Sequence, residues 1–230
     1  MIRQSPAKIY KAKQRGLTES KLQRLHATFN FENYSNDTRM PFGLLSVIND
    51  ETLAQSHQVI RQPEANMTVI LIPIVGALHY CHAAEVSEII VPGEITIIPS
   101  STDAITLTNP YEDGQINYLY LTFTGLTAAA KITTTVNFSI RNTLHQFIDN
   151  GGVTGCMAIF DGREEALYKL KDATNGIFVF VINGAFEVQG RLLEERDGLA
   201  LWDTTEADIE ALSENAVILL FEVTLTAFTA

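Results

Sequence analysis

The sequence predicts an all-β protein built from two small antiparallel barrels in tandem. Three observations predict it: short β-branched and aromatic runs, glycine-bearing turns between them, and a unit of this kind that occurs twice. The runs lie at residues 95–98, 116–123, 177–182 and 217–223, each bounded by turn-forming residues. Pro92-Gly93 and Asn183-Gly184 supply turn chemistry between apolar strands. The repeat pairs Val75-Gly76-Ala77-Leu78 with Asn183-Gly184-Ala185-Phe186 about 108 positions later. It also pairs Pro92-Gly93-Glu94 with Asp197-Gly198-Leu199 about 105 positions later.

Taken in order, the chain opens on a basic arm in which Arg3, Lys8, Lys11, Lys13, Arg15, Lys21 and Arg24 face only Glu19. Lysines of this kind keep an edge strand from pairing with another chain; docking to an acidic partner is the competing reading. A targeting presequence would share the charge, but the arm lacks an amphipathic apolar face. Residues 124–137, rich in Thr and Ala, read as the connection between barrels. The expected domains are therefore residues 1–130 and 131–230. Within the second, residues 205–214 have helix-forming composition, yet Ala207, Ile209 and Ala211 alternate with Asp208 and Glu210, so a strand is expected.

Composition sets limits on function. With 46% hydrophobic and 19% charged residues in 230, disorder is excluded as the main state. No apolar run reaches the roughly 18 residues a bilayer crossing needs, so no membrane partner is expected. A formal charge of -11 argues against non-specific nucleic-acid binding. Cys81 and Cys156 are too few and too far apart for a disulfide framework or a structural zinc site, and a cytoplasmic location is expected. No nucleophile elbow, P-loop or dinucleotide glycine pattern occurs.

Several segments then resemble the pirin family: Thr28-Phe29-Asn30-Phe31 with Tyr34, Phe42-Gly43-Leu44-Leu45-Ser46-Val47-Ile48-Asn49-Asp50, Gly76-Ala77-Leu78, Pro92-Gly93, and Asp197-Gly198-Leu199-Ala200-Leu201. The resemblance implies two tandem cupin barrels of the double-stranded β-helix or jelly-roll type. It also implies one iron or similar metal in the first barrel, and activities that include quercetin oxidation by dioxygen or transcriptional cofactor roles. The ligand positions depart from the pattern. Counted back from Gly76, the family's His-Pro-His falls on Gln62, Pro63 and Glu64; counted forward from Pro92-Gly93, its His-x-Glu falls on Thr106 and Thr108. A dioxygenase iron needs imidazole and carboxylate donors with open positions, and here one carboxylate remains. No cofactor is therefore expected.

Strand alternation allows Gln62, Glu64, Thr106 and Thr108 to converge on the former metal pocket, as a ligand site or as a self-satisfied filler network. Glu64 is the candidate catalytic group if chemistry survives there. His79 and Cys81 are expected on one strand face and His82 on the other. His57 and Arg61 read as exposed loop residues near the pocket mouth. Trp202, Phe178 and Phe180 read as core of the second barrel. The leading reading is a non-enzymatic pirin-like bicupin that binds a small polar or aromatic molecule or a protein partner. A quercetin 2,3-dioxygenase-like or metal-independent enzyme, and a structural or oligomerising protein, are its rivals.

Overall fold

A computed structural model describes residues 5–82, 86–101, 103–126 and 128–225. Its strands are β1 (Ala7–Tyr10), β2 (Gly16–Glu19), β3 (Gln23–Ala27), β4 (Leu45–Leu53), β5 (Gln58–Arg61), β6 (Met67–Val75) and β7 (Leu78–His82). They continue with β8 (Val86–Ile90), β9 (Glu94–Ile98), β10 (Ile105–Thr108), β11 (Ile116–Thr124), β12 (Ile132–Thr135), β13 (His145–Asn150) and β14 (Val153–Phe160). The last are β15 (Glu165–Lys169), β16 (Asn175–Asn183), β17 (Phe186–Val188), β18 (Arg191–Leu193), β19 (Gly198–Leu201), β20 (Glu206–Ala211) and β21 (Ala216–Thr224). No described helix is long and apolar enough to cross a membrane.

The chain divides into two compact units. The first barrel comprises Gly16–Pro41 and Leu45–Val136. Its seven-stranded sheet runs β12-β9-β6-β11-β4-β3-β2 and its four-stranded sheet β5-β10-β7-β8. Alternation sends Val47, Leu53, Val69, Leu71, Ile116, Tyr118 and Tyr120 of the larger sheet inward, to meet Val59, Leu78, Tyr80, Ile90, Ile105 and Leu107 of the smaller one. The β6–β7 turn requires Gly76: its φ is 73°, and a Cβ there would lie 2.8 Å from Ile116 Cγ2. In β6 the register against β11 moves from Asn117↔Val75 to Tyr118↔Pro73, so one extra residue forms a bulge beside Pro73.

The second barrel takes the described residues up to Arg15, Phe42–Leu44 and those from Asn137 onward. Its sheets run β1-β19-β16-β21-β14-β13 and β15-β20-β17-β18. The N-terminal arm, counted with the first domain from sequence, is hydrogen-bonded here: β1 pairs antiparallel with β19, from Ala7↔Leu201 to Tyr10↔Gly198. Asp197 fixes it, accepting from Lys11 Nζ at 2.8 Å, Ala12 N at 2.7 Å and Glu194 N at 3.0 Å. As an edge strand, β1 carries Lys8 over the Tyr10 ring at 5.3 Å. Residues 205–214 form β20, with Ala207, Ile209 and Ala211 buried. Phe178 and Phe180 are buried, but on the face of β16 opposite Ile177, Val179 and Val181, which fill the barrel; Trp202 is half-buried. The stretch expected as a connection contains β12, which pairs with β9.

Candidate functional site

The inner face of the first barrel is apolar except for His82 on β7 and a polar cluster drawn from β4, β11 and β5. On β4 it carries Val47, Asn49, Glu51 and Leu53, and on β11 Ile116, Tyr118, Tyr120 and Thr122. The register sets Glu51 opposite Tyr118 and Asn49 opposite Tyr120. From the smaller sheet β5 contributes Arg61, whose neighbour across the ladder is the core residue Ile105.

Arg61 and Glu51 form a buried ion pair. Arg61 Nη2 donates to Glu51 Oε2 at 2.7 Å, and Tyr118 Oη donates to the same oxygen at 2.7 Å. Glu51 is fully buried, whereas the second carboxylate on Arg61, Glu32 at 2.9 Å from Nη1, is half exposed. The guanidinium lies 5.5 Å from the Phe31 ring centroid, and Phe31 packs 6.4 Å from Tyr120. Burial works against the charge of Arg61, but the attraction and hydrogen bond from Glu51 prevail and raise its pKa. Burial first, then Glu51, pushes the Tyr118 phenol well above its usual range, and Tyr120 moves the same way.

This cluster is unsaturated. Glu51 Oε1, Arg61 Nε, Thr122 Oγ1 and both side-chain amide atoms of Asn49 are buried with no hydrogen-bond partner. The second barrel provides an internal comparison. Its buried carboxylate, Glu222, accepts from Tyr168 Oη at 2.7 Å, Asn175 Nδ2 at 2.8 Å and the backbone N–H groups of Lys171 and Asp172. The packed interior around it is largely apolar.

The four residues expected to converge inside the first barrel are not brought together there. Gln62 and Glu64 are exposed. On β10, Ile105 and Leu107 take the inner positions, and Thr106 and Thr108 the outer ones. Thr106 sits between Ile60, which is 62% exposed, and Cys81; Thr108 sits between Gln58 and His79. On the β5 side the strand ends at Arg61, which takes its last inward position, and Gln62 and Glu64 lie beyond it on the exposed connection to β6. Arg61, expected in an exposed loop, is thus 7% exposed and part of β5.

Sequence reasoning also missed Glu51, Asn49 and Tyr118. The available signal was Asn49 and Glu51 in the inward phase of an otherwise apolar strand, with one arginine in the inward phase of a nearby one. On β7, His79 and Cys81 share the outer face: His79 Nε2 lies 2.9 Å from Ser87 Oγ and 3.6 Å from Cys81 Sγ. His82 lies on the other face, with Leu78 and Tyr80. His57 lies in the loop between β4 and β5, and its backbone carbonyl accepts from Asn109 N. Among the described residues, no three His, Cys, Asp or Glu side chains stand together in a way that could hold a metal ion.

Comparison with known proteins places this architecture. Residues 153–223 match the family described as the quercetinase C-terminal cupin domain. No curated protein matches the chain. Among solved structures, YhhW from Escherichia coli superposes with a TM-score of 0.85 at 18% identity, covering 97% of this chain and all (100%) of that one. The same bacterial pirin in complex with nickel(II) gives 0.84 at 18% identity, over 96% of this chain and 100% of that one. A quercetin 2,3-dioxygenase from Acinetobacter baumannii gives 0.71 at 10% identity, over 96% of this chain and 80% of that one. The second barrel thus matches a quercetinase-type cupin domain, and the chain has the two-barrel fold of bacterial pirins along nearly all its length.

Proposed function

We propose that the chain is a non-enzymatic binding or regulatory bicupin whose first barrel takes up a small polar or aromatic molecule without a metal. The observation that carries this reading is the Arg61 guanidinium, held by Glu51 on the inner face, one residue before Gln62, on which the family pattern counts its first histidine. The residues present do not fit iron. The one imidazole on that inner face, His82, stands two strands away across Ile105, and Glu51 Oε2 is already engaged by two donors. A divalent cation within about 4 Å of a guanidinium meets a repulsion on the order of 8 kcal/mol at an effective dielectric of about 20. Glu51, shared with Arg61, offsets that in part. Glu64, the carboxylate singled out for catalysis from sequence, is exposed on the β5–β6 connection and has no place in this cluster.

A quercetin 2,3-dioxygenase-like activity is the second reading. It draws on the domain description of residues 153–223 and on the fold likeness to the Acinetobacter enzyme. Elemental analysis of protein purified without chelators, with quercetin consumption followed under air, separates the two. The expected outcome is substoichiometric metal and no turnover. One iron, nickel, copper or manganese per chain together with quercetin oxidation would sink the proposal.

A further inference from the structure

We infer that the ligand of the first barrel is an uncharged molecule presenting a hydrogen-bond donor and acceptor side by side, a carboxamide or vicinal hydroxyl face, seated on Asn49, Glu51 Oε1, Arg61 Nε and Thr122. The inference deepens the proposed binding role and rests on it. Its basis is the identity of the unpartnered atoms. Asn49 Oδ1 and Glu51 Oε1 accept, Asn49 Nδ2 and Arg61 Nε donate, and Thr122 Oγ1 does either. Asn49 and Glu51 are fully buried and Thr122 is 2% exposed. They lie on one inner face: Asn49 and Glu51 are two apart on β4, and Thr122 follows Tyr120, the cross-strand partner of Asn49, by two on β11.

Charge selects against ions. One guanidinium already faces two carboxylates, Glu51 and Glu32. An entering anion would meet both carboxylates, with the guanidinium already engaged by them, and an entering cation would crowd Arg61. An uncharged group carrying donor and acceptor together satisfies Asn49 in two parallel bonds and disturbs neither balance. Glu222 shows that this chain saturates a buried carboxylate where the role is structural, through four hydrogen-bond donors of its own. Glu51 is left with a bare oxygen.

Two near-isosteric variants read this out without relying on activity. If Asn49 and Thr122 serve a ligand, Asn49→Leu and Thr122→Val remove unpaired polar atoms, so the free protein keeps or raises its melting temperature. If they belong to a saturated internal or water-filled network, each variant lowers it by several degrees. Binding is measured by titrating the whole protein with benzamide, benzoate and benzamidinium, and with the smaller acetamide, acetate and acetamidinium, following the Asn49 side-chain amide by NMR.

The expected result is that an amide of one series shifts that signal and binds at least tenfold more tightly than its anion and its cation. Asn49→Leu should weaken it tenfold or more. Tighter binding of the anion or the cation overturns the inference and leaves the metal-free binding role standing. Destabilised variants with no binding by any member of either series overturn both. Unchanged or raised stability with no binding by either series overturns the inference.

Discussion

Replacing Arg61 by Met keeps the aliphatic stem and removes the guanidinium from a place where Glu51 has no access to water. Glu51 then keeps Tyr118 Oη as its donor, at 2.7 Å, and faces an apolar barrel wall. Breaking a buried pair from one side costs about 3–5 kcal/mol. The Phe31 contact adds about 0.5–2 kcal/mol, and the half-exposed Glu32 contact at most about 1 kcal/mol. The sum, about 3.5–8 kcal/mol, is a large share of the stability of a chain this size. At about 2–4 °C per kcal/mol the melting temperature falls by at least about 7 °C. Adding Glu51→Gln removes the stranded charge while keeping an acceptor for Tyr118, so the double variant should be more stable than the two single losses predict. Calorimetry, with hydrogen exchange read at β4 and β11, isolates the first barrel; Trp202 lies in the other unit and its fluorescence does not report on this one. A loss below about 1 kcal/mol for Arg61→Met, or strict additivity in the double variant, would refute the account of a coupled buried pair.

The phenols of Tyr80, Tyr118, Tyr120 and Tyr168 are all pushed up, in each case by burial first and then by a neighbouring carboxylate. Because the unfolded phenol ionises near about pH 10, the stability they contribute is complete below that value and is lost as pH rises toward the folded values. Tyrosinate absorbance should therefore appear together with loss of structure; titration of these four in a still-folded protein contradicts the assignment. Burial pushes the Cys156 thiol up to about 11, while Cys81 is half-exposed beside His79. Iodoacetamide should thus modify Cys81 first, and equal labelling of both argues against the burial of Cys156. Asp197→Ala removes three donors' common acceptor and should release the N-terminal arm at a cost of about 1–3 kcal/mol, seen as faster tryptic cleavage at Lys11 and Lys13. Gly76→Ala places a Cβ against Ile116 at a φ of 73°, and should destabilise the first barrel by about 1–3 kcal/mol.

The all-β class, the tandem barrels and the principal strands were legible in the order of residues. The reason is local: strand alternation, β-branched runs and glycine turns are properties of neighbouring positions, as the agreement of residues 205–214 with β20 illustrates. Ile177 to Ile182 and Val217 to Val223 likewise lie within β16 and β21.

Tertiary structure decided which residues face the barrel interior. The last inward position of β5 is Arg61, and Gln62 lies beyond the strand end, exposed. Tertiary structure also joined Arg61 to Glu51 and Glu32, and Glu51 to Tyr118, across 10 to 67 positions of sequence, contacts that exist only once the sheets have paired. Finally, it drew the basic arm to β19, some 190 residues away, because backbone hydrogen bonds follow strand register and are blind to distance along the chain.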